Sequence, residues 1–201
     1  VIADVSGKGV PAALFMMRVK ALLNQLLRED LSPDQVLARA NDGLCEDNEA
    51  GMFVTVWLGV LDLRSGKLVY ANGGHNPPLY RHADGSVEWM RDRSGLLLGS
   101  FEGVPYRVFE RTMIRGDSLI LYTDGVTEAM DASDHCYGDE RLFQLVEREC
   151  DGYPASVSGV IEEDVRAFAE GADQADDITL LVLRYDGQEN GPAASAAGNR
   201  G

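Results

Sequence analysis

The spacing of apolar and polar positions divides the chain into blocks. Val1-Ile2-Ala3-Asp4 reads as the tail of a strand, and Val5-Ser6-Gly7-Lys8-Gly9 as a tight turn. From about Pro11 to Arg28, Leu14, Met17, Ala21, Leu22 and Leu26 recur at helical spacing, and a proline near the first helical position suits a helix start. Met16, Met17, Leu22 and Leu26 are expected in the core. Ser32-Pro33-Asp34-Gln35 carries the residues of a capping box, in which serine and glutamine each satisfy a backbone N–H, and so predicts a second helix.

Between Met52 and Leu63 β-branched and aromatic residues occupy both alternating sets, the pattern of a strand buried on two faces. Arg64-Ser65-Gly66-Lys67 turns the chain, and Leu68-Val69-Tyr70-Ala71 returns as the partner of a hairpin. Further strands are predicted around Leu79–Arg81, Val87–Met90, Tyr106–Met113 and Ser118–Thr123, so the middle reads as an antiparallel meander. Helices follow near Glu140–Glu149 and Ala155–Ala169, then a last two-faced strand over Asp177–Tyr185. Helices, strands, helices, strand is the order of an α+β fold whose antiparallel sheets carry helices on their outer faces. Residues 186–201, rich in glycine, alanine, serine and asparagine, have nothing to bury and are expected to form a disordered tail.

The 201 residues are enough for one well-buried domain. A formal net charge of −15 disfavours nucleic acid as a partner, because binding a phosphate backbone relies on lysines and arginines. It leaves a phosphorylated substrate open, since metal ions held by acidic side chains supply positive charge locally. No stretch approaches the roughly 20 apolar residues of a membrane helix, so no membrane insertion is expected in this segment. Cys45, Cys136 and Cys150 form no CxxC pair and suggest reduced thiols in a cytoplasmic protein. Because it opens in mid-strand, the chain reads as cut from a longer protein.

Asp4, Asp124 and Asp176 share one context, each at a strand end beside a turn or tight junction. An aspartate there is ordinarily a turn former or helix cap. Carboxylates at strand ends can also converge at one edge of a sheet stack, and an all-oxygen set suits magnesium or manganese. Four segments carry the further signal: Asp4-Val5-Ser6-Gly7-Lys8-Gly9-Val10-Pro11-Ala12-Ala13, Asn72-Gly73-Gly74-His75-Asn76-Pro77-Pro78, Tyr122-Thr123-Asp124-Gly125-Val126-Thr127-Glu128-Ala129 and Asp176-Asp177-Ile178-Thr179-Leu180. In this order the set resembles the metal-dependent protein phosphatase family (PPM, type 2C-like), in its bacterial branch of stage II sporulation protein E and the sigma-factor regulatory phosphatases. The resemblance runs from Val1 to about Tyr185.

The resemblance implies a sandwich of two antiparallel sheets flanked by helices (αββα) over residues 1–185, with two manganese or magnesium ions in a cleft at one end. By motif position Asp4 would bridge the metals, Val5 would offer its backbone carbonyl, and Asp124 and Asp176 would complete the ligands, with Asp177 at most supporting them. Relatives carry a further metal-binding aspartate on a strand upstream of the first motif. The expected domain therefore lacks its N-terminal strands and has an incomplete ligand set. The implied mechanism is attack by metal-activated water on phosphoserine or phosphothreonine, with no phosphoenzyme.

His75 is a candidate general acid, because histidine titrates near neutrality, or else a loop residue that fixes its turn. Lys8 is not part of a Walker loop, whose spacing is absent. Glu128 suits either a metal-bound water or a helix dipole. The leading functional expectation is a phosphoprotein phosphatase acting on a phosphorylated anti-sigma-factor antagonist, attached to an upstream sensor or regulatory domain. The alternatives are a non-catalytic regulatory interaction module on the same fold, and a hydrolase of small phosphate esters.

Overall fold

The structure, a computed structural model, describes residues 1–172 and 176–187. Residues 188–201 of the expected tail lie outside the described residues. The elements in chain order are β1 (Ile2–Val5), α1 (Gly9–Leu26), α2 (Pro33–Cys45), β2 (Val54–Leu61), β3 (Lys67–Gly73), β4 (Leu79–Arg81), β5 (Val87–Trp89), β6 (Phe109–Thr112), β7 (Ser118–Tyr122), α3 (Asp139–Glu149), α4 (Pro154–Phe168) and β8 (Leu180–Arg184). They build two four-stranded sheets, in the orders β1-β2-β3-β6 and β5-β4-β7-β8, and every strand pair is antiparallel.

Alternation along each strand sorts its side chains between cores. Val54, Val56 and Leu58 of β2 pack against Phe15, Val19 and Leu23 of α1 and Val36, Leu37 and Leu44 of α2. Ile120 and Tyr122 of β7 pack under α3 and α4, with Leu142, Val146, Val157 and Ile161. The intervening residues, Trp57, Leu68, Tyr70, Leu119 and Leu121, meet between the sheets. The outcome is a four-layered αββα sandwich, and the two-faced apolar runs of β2 and β7 exist because each strand has a core on either side.

The meander expectation fails in an instructive way. After the β2-β3 hairpin the chain crosses to the other sheet for the β4-β5 hairpin, returns to add β6 beside β3, and crosses again for β7. Two-faced patterning marks a strand as interior but does not say to which sheet it belongs. The last crossing turns on Asp117, a buried carboxylate that accepts hydrogen bonds from the Tyr80 hydroxyl at 2.5 Å and from the backbone N–H groups of Ala83 at 2.9 Å and Ile114 at 2.8 Å.

The helix starts follow local chemistry. Ser32 caps α2, and the Gln35 side chain reaches back to accept from the Ser32 N–H at 3.1 Å. On α1, Leu26 is buried and Met16 and Leu22 are partly buried, but Met17 is 69% exposed, against the core expectation, and Leu14 is 62% exposed. The buried stripe is Ala12, Phe15, Val19, Leu23 and Leu26. Apolar residues surround this helix, so spacing alone could not single out the inward face. Cys45, Cys136 and Cys150 are free thiols. No helix among the described residues is long and apolar enough to cross a membrane.

Candidate metal centre

The carboxylates come together because the sheets bring their strand ends to one rim of the sandwich. Asp4 lies within β1, opposite Thr55 of β2. Beyond it, the Ser6 N–H donates to the Phe53 carbonyl at 2.9 Å and the Phe53 N–H donates to Ser6 Oγ at 3.0 Å, which carries the pairing into the glycine turn. Asp124 follows β7 on the second sheet, and Asp176 precedes β8, its antiparallel neighbour. Thr123 binds the two segments: its hydroxyl donates to the Asp177 carbonyl at 3.1 Å and accepts from the Thr179 N–H at 2.9 Å. Gly125 completes the junction, because a Cβ there would lie 2.4 Å from the Asp177 carbonyl oxygen.

The loop between β3 and β4 closes this rim. The Asn72 side chain clasps His75 twice, donating to its carbonyl at 3.0 Å and accepting from its N–H at 2.8 Å. Gly74, at φ +76°, runs close under Leu97, whose backbone N would lie 2.9 Å from an added Cβ. His75 Nδ1 is 2.9 Å from the Thr55 hydroxyl, which donates weakly to the Asp4 carbonyl at 3.4 Å. Among the described residues, no hydrogen bond of good geometry reaches His75 Nε2. Burial lowers the His75 pKa to about 4, against smaller upward pulls from the Asp124 charge and the Tyr122 carbonyl. The ring is therefore neutral at neutral pH.

The electrostatics are those of crowded anions. The Asp4 carboxyl is pushed up to about 6, first by burial, then by the Asp124 charge and a hydrogen bond between the two carboxyl groups, with Asp176 adding to the effect. Among the described residues, the buried Asp124 Oδ1 has no hydrogen-bond partner. An orphaned acceptor, an Asp4 carboxyl raised by burial and by its acidic neighbours, and an all-oxygen donor set fit a hard divalent cation. Among the described residues, no three metal-ligating side chains close into a compact cluster. Asp176 Oδ1 instead lies 3.4 Å from Lys8 Nζ.

The carboxylates stand between two cavities. One, of about 570 Å³, is lined by Asp4, Val5, Lys8 and Asp176, and the other, of about 580 Å³, by His75, Asp124 and Glu128 with a wall formed by residues after β5. A third cavity of about 520 Å³ between α4 and β8 is lined by Val165, Ile178 and Leu180 and contains none of the aspartates. Asp4, Val5, Asp124, Asp176 and His75 thus all lie around one rim. Asp177 takes part through its carbonyl and leaves its side chain exposed. Thr55 escaped the sequence reading, because a threonine inside a strand carries no signal of its own.

Comparison with known proteins agrees with this architecture. The chain is 29% identical over 183 residues to the phosphoserine phosphatase RsbU of Bacillus subtilis, covering 91% of this chain and 54% of RsbU. It therefore spans about half the length of that relative. The SiaA-PP2C domain of Pseudomonas aeruginosa has the same fold, with a TM-score of 0.77 at 21% identity over 92% of this chain and 74% of that one. The catalytic domain of the serine/threonine protein phosphatase PstP, in complex with two manganese ions, matches with a TM-score of 0.62 at 16% identity over 90% of this chain and 84% of that one. The profile of stage II sporulation protein E matches residues 1–186, across both sheets and all the aspartates of the rim, and the chain belongs to the stage II sporulation protein E (SpoIIE) family.

Proposed function

We propose that the chain acts as a metal-dependent phosphatase on phosphoserine or phosphothreonine of a protein. The proposed substrate is a phosphorylated anti-sigma-factor antagonist, met in the cytoplasm under the control of a sensor or regulatory domain. One observation carries the reading: Asp4 of one sheet lies near enough to Asp124, at the end of a strand of the other, and to Asp176 that both charges raise its pKa, while Asp124 Oδ1 is buried with no hydrogen-bond partner among the described residues. RsbU, a phosphoserine phosphatase, and PstP, with its two manganese ions, support it.

In this reading Asp4, the Val5 carbonyl, Asp124 and Asp176 hold manganese or magnesium. When bound, the metal supplies a hydroxide nucleophile near neutral pH and positive charge for the phosphoryl oxygens. The chain's own residues do the positioning. Thr123 and Gly125 fix the segment carrying Asp176 against the segment carrying Asp124. His75 acts as a neutral anchor, because with a pKa of about 4 the imidazolium that a general acid needs is scarce at neutral pH. The open cavity beside Asp124 admits the phosphorylated side chain.

The test is release of phosphate from a phosphoprotein with added manganese, by the chain and by its Asp124→Asn variant. A loss of roughly a hundredfold or more in the variant is expected, because removing a ligand forfeits several kcal/mol of charge stabilisation. Equal turnover by the two would sink the assignment. A non-catalytic interaction module is favoured by the absence of a compact ligand cluster among the described residues. It predicts that both proteins bind phosphoprotein and neither releases phosphate.

A further inference from the structure

The cavity on the Asp124 side has one wall of unusual charge. After β5, Asp92 is tied inward, accepting from the Tyr70 hydroxyl at 2.7 Å. The residues on either side of it, Arg91 and Arg93, are exposed and line the cavity that also contains Asp124 and His75. Arg39, Arg111, Arg141, Arg166 and Arg184 each pair with a carboxylate. Among the described residues, neither Arg91 nor Arg93 has a carboxylate within 4.0 Å. The Asp92 carboxylate between them is already engaged by Tyr70. Both arginines thus line a cavity whose other charged residues, Asp92, Asp124, Glu128 and Asp139, are acidic, without forming an ion pair with any of them.

A lone exposed arginine is ordinarily a solvated surface group. These two differ in placement. Arg91 stacks its guanidinium 5.6 Å from the Trp89 ring centroid, which restricts its freedom. Leu96, 55% exposed, adds apolar surface to the same cavity. A volume of about 580 Å³ exceeds what a phosphate alone needs. Planar guanidinium forks match carboxylate and phosphate oxygens equally well.

We infer that Arg91 and Arg93, on the wall after β5, bind an anion of the phosphoprotein substrate as its phosphorylated side chain enters the cavity that contains Asp124. The inference rests on the phosphatase reading and deepens it by naming the substrate's charge. The anion is either the phosphoryl group itself or a carboxylate flanking it, and the two sources give different results.

The test compares the parent chain with an Arg91→Gln/Arg93→Gln variant, in manganese. The ligands are a glutamate-flanked phosphoserine peptide, an alanine-flanked one, and p-nitrophenyl phosphate. An Arg64→Gln/Arg115→Gln variant removes the same charge from exposed sites outside the cavity. KM is measured by phosphate release, and Kd by anisotropy of the labelled peptides. For the glutamate-flanked peptide, both constants are expected to rise about tenfold in the cavity variant, a difference that narrows as salt is raised, with partial rescue by lysines at both positions. A rise confined to that peptide assigns the anion to flanking carboxylates. A rise of equal size for all three ligands assigns it to the phosphoryl group. Unchanged constants throughout, or the same rise in the Arg64→Gln/Arg115→Gln variant, overturn the inference. Absence of turnover by the parent would count against the phosphatase reading alone, since the anisotropy comparison still decides this one.

Discussion

A single methyl group at position 125 would meet the Asp177 carbonyl at 2.4 Å, so Gly125→Ala must move the segment that carries Asp176. The expected result is manganese affinity weakened by about 10- to 100-fold in calorimetry, the usual cost of disturbing groups that orient metal ligands. His75 and Asp4 give a second residue-scale expectation, of opposite signs. His75 is depressed from 6.5 to about 4, so its neutral form contributes stability that is present above 6.5 and lost as pH falls through about 4. Asp4 is raised from 3.8 to about 6, so its protonated form contributes stability that is present below 3.8 and lost as pH rises through about 6. Metal-free Asp4→Asn is therefore expected to melt above the parent at neutral pH, an advantage that vanishes below pH 3.8. At this scale the aspartates were legible because each lies in a motif with glycine or a tight junction beside it. Thr55 was not, because its part in the centre depends on a partner, His75, that reaches it only through the folded loop.

Helix α1 separates what spacing can say from what it cannot. Its sequence is apolar around most of its circumference, so period alone placed Met17 inside, whereas contact with β2 and α2 selects Phe15, Val19 and Leu23. Leu23→Ala is expected to cost about 2–5 kcal/mol in urea unfolding, and Met17→Gln to stay within about 0.5 kcal/mol. If the two cost the same, the assignment of the buried face is wrong. Strand β7 is the opposite case: all its residues are buried, and its continuous apolar run announced that environment directly. The β4-β5 and β2-β3 hairpins were readable from their turns, but β6, short and partly exposed, was overextended to Tyr106–Met113 because alternation continues into a segment that bonds elsewhere through the Arg107 N–H to the Ser94 carbonyl.

For the whole molecule, the α+β class and the helix-covered sheets followed from element order, whereas the double crossing between sheets did not. It is fixed by long-range packing, such as the pairing of Lys67 with Thr112, which no local pattern encodes. The surplus of negative charge and the apposed carboxyl groups make the metal-free state costly at neutral pH. Manganese is therefore expected to raise the melting temperature more at pH 7 than at pH 5, where Asp4, with its pKa near 6, already carries a proton. At a hundredfold excess over Kd the gain at neutral pH would be about 2.7 kcal/mol. An equal gain at both pH values would show that Asp4 takes no part in binding.

Because Asp4 belongs to one sheet and Asp124 follows a strand of the other, the proposed centre would belong to neither half of the sandwich alone. A partly folded chain with either sheet formed alone would be expected to bind metal poorly, and a cation seated on the rim would act as a clamp across layers that otherwise meet through a core including Trp57, Tyr70, Leu119 and Leu121. Loss of the ion and loosening of the two layers would then be one event, and chelation would be felt at the Trp57 indole as well as at the rim.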